Sequence, residues 1–172
     1  MLVYLIRHST RETPEDFEDA EEGDPDADLT KDGEAIATSL GQWMADNDEI
    51  PSVLIASDAV RGQQTAQLIA AAIEEAGFAP PDVETDASIG PHMSIRGTLM
   101  KKLADKAVEK VALVSHKGSI QMGLQQMGGD DKKKPTPMAM GELRILKVKR
   151  KSGKWKQQKQ ILPSDLGHPD TY

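Results

Sequence analysis

The sequence predicts an α/β domain of three layers, in which helices flank a mostly parallel central sheet and an antiparallel hairpin closes the C-terminal end. Three observations carry that prediction. Residues 2–6 (Leu-Val-Tyr-Leu-Ile) form a near-continuous apolar run, as a strand buried on both faces should. The runs 53–56 and 111–114 have the same character, and each precedes a stretch with helical spacing. Residues 143–148 and 155–161 instead alternate apolar and polar side chains around Ser152-Gly153, the pattern of a hairpin.

The remaining elements fall between these runs. Thr30 is a good N-cap for a helix running to about Asn47, with Ile36, Leu40, Trp43 and Met44 as its buried stripe. A second helix is expected over 59–76, with Gly77 as its stop. Pro80-Pro81 is a connector before a weak strand near Val83. A third helix is expected over 94–109 and a short fourth over 118–127, ended by Gly128-Gly129. Residues 132–137 read as a loop and 162–172 as a tail. Neither a repeat nor a linker interrupts the chain, so residues 1–172 are expected to form a single domain.

Composition narrows the function. The chain has 172 residues, 38% hydrophobic and 28% charged, and a mean hydropathy of -0.50. Such a chain can bury a core without staples. Aromatic residues make up only 3%, so aliphatic side chains, Ala and Met must fill that core. With no Cys, a thiol nucleophile, a Cys-zinc site and disulfides are excluded. That absence fits a reducing compartment, so a cytoplasmic location is expected. No apolar run approaches the roughly 20 residues of a membrane span, and the N-terminus does not read as a signal peptide.

The net charge of -7 is unevenly spread. Residues 12–28 carry ten acids and no base, and read as a surface loop. Residues 132–159 carry eleven bases against one acid, Glu142. The basic end invites a nucleic-acid reading, and the acidic loop a steering role. Solvated edge strands explain the lysines better, since only Trp155 offers a stacking aromatic. No nucleic-acid or membrane partner is expected.

Polar clusters follow three of the strands: Arg7-His8-Ser9, Ser57-Asp58-Ala59-Val60-Arg61 and Ser115-His116-Lys117-Gly118. Ligands of open α/β sheets bind beyond the carboxyl ends of the strands. Two Arg and two His gathered on one rim would make a cationic pocket suited to a phosphoryl group. The helix N-termini after Asp58 and Lys117 would add backbone N–H donors. A single His after a strand is more often structural, and a single Arg on a helix is more often solvated. The four together argue otherwise. His92, His168 and Arg96 read as surface residues, and Met122, Met127, Met138 and Met140 as packing.

These motifs resemble the histidine phosphatase superfamily, also called phosphoglycerate mutase-like. Leu5-Ile6-Arg7-His8-Ser9 resembles its Arg-His-Gly signature, and Leu29-Thr30-Lys31-Asp32-Gly33 its Leu-Thr-x-x-Gly helix start. Residues 57–66 (Ser-Asp-Ala-Val-Arg-Gly-Gln-Gln-Thr-Ala) resemble its Ser-Pro-x-x-Arg-x-x-Gln-Thr-Ala, and Val114-Ser115-His116 its second His. The small size and terminal hairpin are most similar to the SixA-like phosphohistidine phosphatases. The resemblance implies a phosphoglycerate mutase-like fold and a metal-independent, cofactor-free phosphatase. His8 would be the nucleophile, and Arg7, Arg61 and His116 would hold the phosphoryl oxygens. The expected substrate is a phosphorylated protein, in particular protein phosphohistidine, or a small phosphate ester.

The sequence departs from the family pattern at two places. Ser9 stands where Gly is usual and either donates to the substrate or crowds the pocket. Asp58 replaces Pro and puts a carboxylate near the anion. Glu84, Asp86 and Asp58 are the candidate general acids, although residues 88–91 (Ser-Ile-Gly-Pro) can align with the acid-bearing stretch and leave no carboxylate there. A weakened phosphate-binding or regulatory module of the same fold is the alternative, and a mutase a more distant one. Oligomeric state is not legible.

Overall fold

The computed structural model describes residues 1–12, 26–129 and 135–172. Among these, β1 (Leu2–Arg7), β2 (Val53–Ala56), β3 (Asp82–Thr85), β4 (Lys110–Ser115), β5 (Leu143–Val148) and β6 (Trp155–Ile161) form one sheet in the order β3-β2-β4-β1-β5-β6. β1 to β4 are parallel, whereas β5 and β6 are antiparallel to their neighbours. The helices are α1 (Lys31–Asp46), α2 (Val60–Glu75), α3 (Arg96–Ala104) and α4 (Lys117–Met127).

Side-chain alternation along the strands builds two cores, one on each face of the sheet. Val3 and Leu5 of β1 join Ile55, Leu113, Leu99, Ile120 and Leu124 on the α3 and α4 face. Tyr4 and Ile6 join Leu54, Val114, Leu40, Met44, Ile69 and Ile73 on the α1 and α2 face. The three-layer expectation is met, and the continuous apolar runs are those of the strands covered on both sides.

Local signals set most boundaries. Thr30 caps α1, its Oγ1 accepting from the Gly33 N–H at 3.0 Å. Gly77, at φ +89°, turns the chain after α2. β6 is an edge strand with residues 156–160 all exposed, whereas β5 lies between β1 and β6 and is buried except at Lys147, so only β6 meets the expectation of solvated edge strands.

The third helix is shorter than the spacing predicts and ends at Ala104. Asp105 Oδ1 accepts from the Ala107 N–H at 2.9 Å, which turns the chain out of the helix. Arg150 then donates to the carbonyls of Leu103 (3.1 Å), Asp105 (2.7 Å) and Val108. The expected tail is also folded. Residues Pro163–Leu166 form a 3₁₀ turn, and His168 Nε2 lies 2.9 Å from Ser39 Oγ on α1. The Thr171 carbonyl accepts from the Met140 N–H at 2.6 Å.

Most of the acidic stretch lies outside the described residues, as do Lys132, Lys133 and Lys134. The two ends of the acidic stretch meet: the Glu12 N–H donates to the Asp28 carbonyl at 2.8 Å and the Thr30 N–H to that of Thr10 at 3.0 Å.

Candidate active site

Strand register brings the polar clusters together. Ile6 and Ala56 both pair with Val114, so β1, β2 and β4 end flush. The next residues continue the alignment: the His8 N–H donates to the Ser115 carbonyl and the Ser57 N–H to that of Val114, both at 3.0 Å. From the adjacent strands β1 and β4 the chain departs to opposite faces, into α1 and α4. Such a switch point opens a crevice at the carboxyl end of a parallel sheet.

Arg61 enters this rim from the first turn of α2 and is fully buried. Its Nε lies 3.3 Å from His8 Nε2, and its Nη2 lies 3.3 Å from His116 Nδ1. The two rings are 5.1 Å apart between centroids, tilted by 55°. A guanidinium can only donate, so it defines the tautomers. His8 Nε2 accepts, and its Nδ1, 2.9 Å from the Ser9 carbonyl, carries the proton. His116 has the opposite arrangement: Nδ1 accepts, and Nε2 donates to Ser57 Oγ at 3.0 Å. Gly62 keeps that hydroxyl in place, since a Cβ there would come within 2.4 Å of Ser57 Oγ.

Burial holds the His8 imidazole well below its ordinary pKa, with His116 and the charges of Arg61 and Arg7 adding to the effect. Arg7 is also buried and donates from Nη1 to the Met138 carbonyl at 2.6 Å. Neither α2 nor α4 has a side-chain cap hydrogen bond at its N-terminus, and in α2 the Gly62 N–H donates instead to the Ala59 carbonyl at 2.9 Å. His116 itself is the N-cap residue of α4. The result is a neutral, buried imidazole whose Nε2 lone pair faces the Arg61 guanidinium, with the charge of Arg7 nearby. A phosphoryl acceptor requires that combination.

The profile of the histidine phosphatase superfamily (branch 1) matches residues 3–88, which carry Arg7, His8 and Arg61. The chain belongs to this superfamily. No curated protein matches the sequence. Among solved structures, the protein histidine phosphatase SixA complexed with tungstate superposes with a TM-score of 0.78 at 17% identity, covering 96% of this chain and 99% of that one. A putative phosphohistidine phosphatase SixA from Agrobacterium tumefaciens gives 0.70 at 25% identity, covering 94% and 98%. A mycobacterial glucosyl-3-phosphoglycerate phosphatase gives 0.67 at 14% identity, covering 91% and 96%.

The remaining candidate residues of this superfamily member are placed differently. Glu84 lies on the edge strand β3, and its Oε2 pairs with Lys102 Nζ at 2.9 Å. Asp86 accepts from the hydroxyls of Ser88 and Thr98, both at 2.6 Å, which hold its carboxyl below the ordinary range. A general acid needs the opposite shift. Both carboxylates are therefore engaged structurally. Asp58 is exposed, and its Oδ1 would lie 3.1 Å from a Cβ at Gly90. His92 and Arg96 are exposed.

Ser9 contributes through its backbone. Its carbonyl fixes the His8 tautomer, and its N–H donates to Thr65 Oγ1 at 3.0 Å, which in turn donates to the Arg61 carbonyl at 2.7 Å. Its side chain turns towards Gly141, where Oγ would lie 3.5 Å from a Cβ. Gly141 has φ +79°, and a Cβ there would also strike Ile36 at 2.4 Å, so only Gly fits. The buried Ser9 Oγ has no hydrogen-bond partner among the described residues. An unsatisfied buried hydroxyl costs about 1–3 kcal/mol. Ser9→Ala is therefore expected to raise stability in urea unfolding by about 1 kcal/mol and to leave kcat unchanged. A fall in kcat of about tenfold would instead mean that the hydroxyl reaches the phosphoryl group.

Sequence reasoning passed over several supporting residues. Thr65 and Gln64 belong to the quoted motif but received no role. Gln64 Oε1 accepts from the Leu29 N–H at 2.8 Å, tying the approach to α1 onto α2. Glu142 was visible as the single acid in the basic segment. In the structure it is fully buried against Arg144.

Proposed function

We propose that this histidine phosphatase transfers a phosphoryl group to His8 Nε2 and then to water, acting on phosphohistidine in proteins or on a small phosphate ester. The observation that carries this reading is the His8 ring itself: Nδ1 is tied to the Ser9 carbonyl, and Nε2 is kept unprotonated beside Arg61 and His116. In the first step the Nε2 lone pair attacks phosphorus, and the bond to the leaving group breaks with its electron pair. Arg7 and Arg61, together with His116 once its Nε2–H turns from Ser57 Oγ to the anion, would stabilise the charge on the equatorial oxygens. In the second step water attacks phosphorus, the P–Nε2 bond breaks, and His8 returns to its Nδ1–H tautomer. No step calls for a metal or cofactor, because the side chains supply the charge.

The placement of the carboxylates bears on the substrate. With Glu84 and Asp86 engaged elsewhere, proton donation to the leaving group would rest on the exposed Asp58 alone. An imidazole leaving group, whose reference pKa is about 6.5, needs such donation far less than an alkoxide. A phosphohistidine peptide is expected to turn over at least about 100-fold faster in kcat/KM than an alkyl phosphomonoester, the span a missing general acid leaves. Comparable values for the two would overturn the substrate assignment. The gathering of His8, Arg61 and His116 favours turnover over the alternative of a weakened binding module, and the Ser9 side chain turns towards Gly141.

A further inference from the structure

We infer that the buried Glu142–Arg144 pair positions Arg7 by locking the segment whose Met138 carbonyl holds the Arg7 guanidinium. The inference rests on the reading of Arg7 as a phosphoryl-binding residue. Arg144 Nε donates to Glu142 Oε1 at 2.6 Å, and both side chains are almost wholly excluded from solvent. The fork of Arg144 is then used up on backbone: Nη1 donates to the Thr136 carbonyl and Nη2 to that of Pro137, both at 3.0 Å. Glu142 Oε2 accepts from the Ala139 N–H at 2.7 Å. The pair thus grips the segment on both sides of Met138, whose carbonyl accepts from Arg7 Nη1.

The same turn is sewn directly to the end of β1. The Arg7 N–H donates to the Glu142 carbonyl at 3.1 Å, and the Gly141 N–H lies 3.1 Å from the carbonyls of both Arg7 and His8. Gln160 of β6 completes the carboxylate by donating to Oε1 at 2.8 Å. Taking two charges out of water is costly, and well-packed apolar residues often stabilise a core as well or better. What an apolar pair could not do is hold three backbone groups at fixed positions around one carbonyl. The retained charges make sense as geometry imposed on Arg7.

A double-mutant cycle tests this. Glu142→Gln removes the charge that orients Arg144, and Arg144→Lys keeps a cation but loses the fork. Each is compared with Arg7→Ala and with the corresponding double variant. The readouts are kcat and KM on an aryl phosphate and the Kd of orthovanadate, on protein whose folding is verified by thermal melting. Each single variant is expected to lose about ten- to hundredfold in kcat, as a displaced phosphoryl-binding group does, with a smaller change in KM. In the Arg7→Ala background the same substitutions are expected to change kcat and vanadate affinity less than about twofold.

Losses that multiply undiminished in the double variants, or folded single variants with wild-type kcat and vanadate affinity, would overturn the positioning role. An inactive wild type that binds vanadate would overturn the proposed function, and the cycle would still be read from binding. A wild type that neither turns over nor binds vanadate would overturn both.

Discussion

Replacing His8 with Ala is expected to lower kcat on an aryl phosphate by at least about 10³-fold with the fold retained, because removal of a covalent nucleophile leaves only binding and electrostatics. The ring contributes one atom to the reaction, Nε2. A small side chain at position 8 leaves the Ser9 carbonyl, the His116–Ser57 pair and the cations in place. Phosphate or vanadate affinity should therefore survive the substitution, within about tenfold, since transition-state chemistry and ground-state binding separate here. Steady-state kinetics together with a vanadate titration check both halves. Retained turnover in His8→Ala would remove the nucleophile from the scheme.

Arg61→Ala is expected to cost about 10²–10³-fold in kcat, the loss seen when a charge-stabilising donor is removed from a reacting centre. It should also change the titration of His8. Burial is the main cause of the depressed His8 pKa, but the Arg61 charge adds to it. In the unfolded chain His8 takes up a proton near pH 6.5, whereas in the folded protein it resists until lower pH. The unfolded state then binds more protons, so stability is lost as pH falls below about 6.5 towards the folded value. Without Arg61 the folded pKa rises and that part of the acid slope becomes shallower. Imidazole titration by nuclear magnetic resonance checks the direction: a His8 pKa unchanged or lower in Arg61→Ala would contradict it. Overall stability should fall, because the substitution empties a fully buried site.

The parts of the site that were legible in the sequence are those fixed by short-range chemistry. Arg7 at the end of an apolar strand is a charge that needs an anion or a partner, whereas His8, Arg61 and His116 became legible only together with it. Flush strand ends follow from the parallel arrangement, and with them the meeting of His8 and His116. The supporting shell was harder to read: its link to the site joins Arg7 to the distant Met138 carbonyl, and side-chain pairing within the 136–144 segment is not set by spacing alone. Nothing local in Glu142 says that it will pair with Arg144 and hold the Ala139 N–H, although its solitude among lysines was a usable signal. α3 ends where the Asp105 side chain accepts from the Ala107 N–H, and Arg150, far along the chain, then takes the carbonyls of Leu103, Asp105 and Val108. The folded terminus was nearer to reach. Pro163 opens the 3₁₀ turn and Gly167, at φ +85°, closes it, a pairing of start and stop residues present in the sequence. The surroundings of Glu84 and Asp86 were hidden for a simpler reason: a carboxylate near the right strand says nothing about what it bonds to. Lys102 for Glu84 and Thr98 for Asp86 are supplied by α3.

The central claim is a covalent bond between phosphorus and His8, and rapid-quench trapping tests it most directly. The enzyme is mixed with a radiolabelled phosphohistidine peptide, quenched in alkali within the first turnover, and digested. The label is expected on the peptide that contains His8, at Nε2, at a level that rises and decays with turnover. Label on another residue, or product release at full rate with no labelled enzyme at any quench time, would contradict the account.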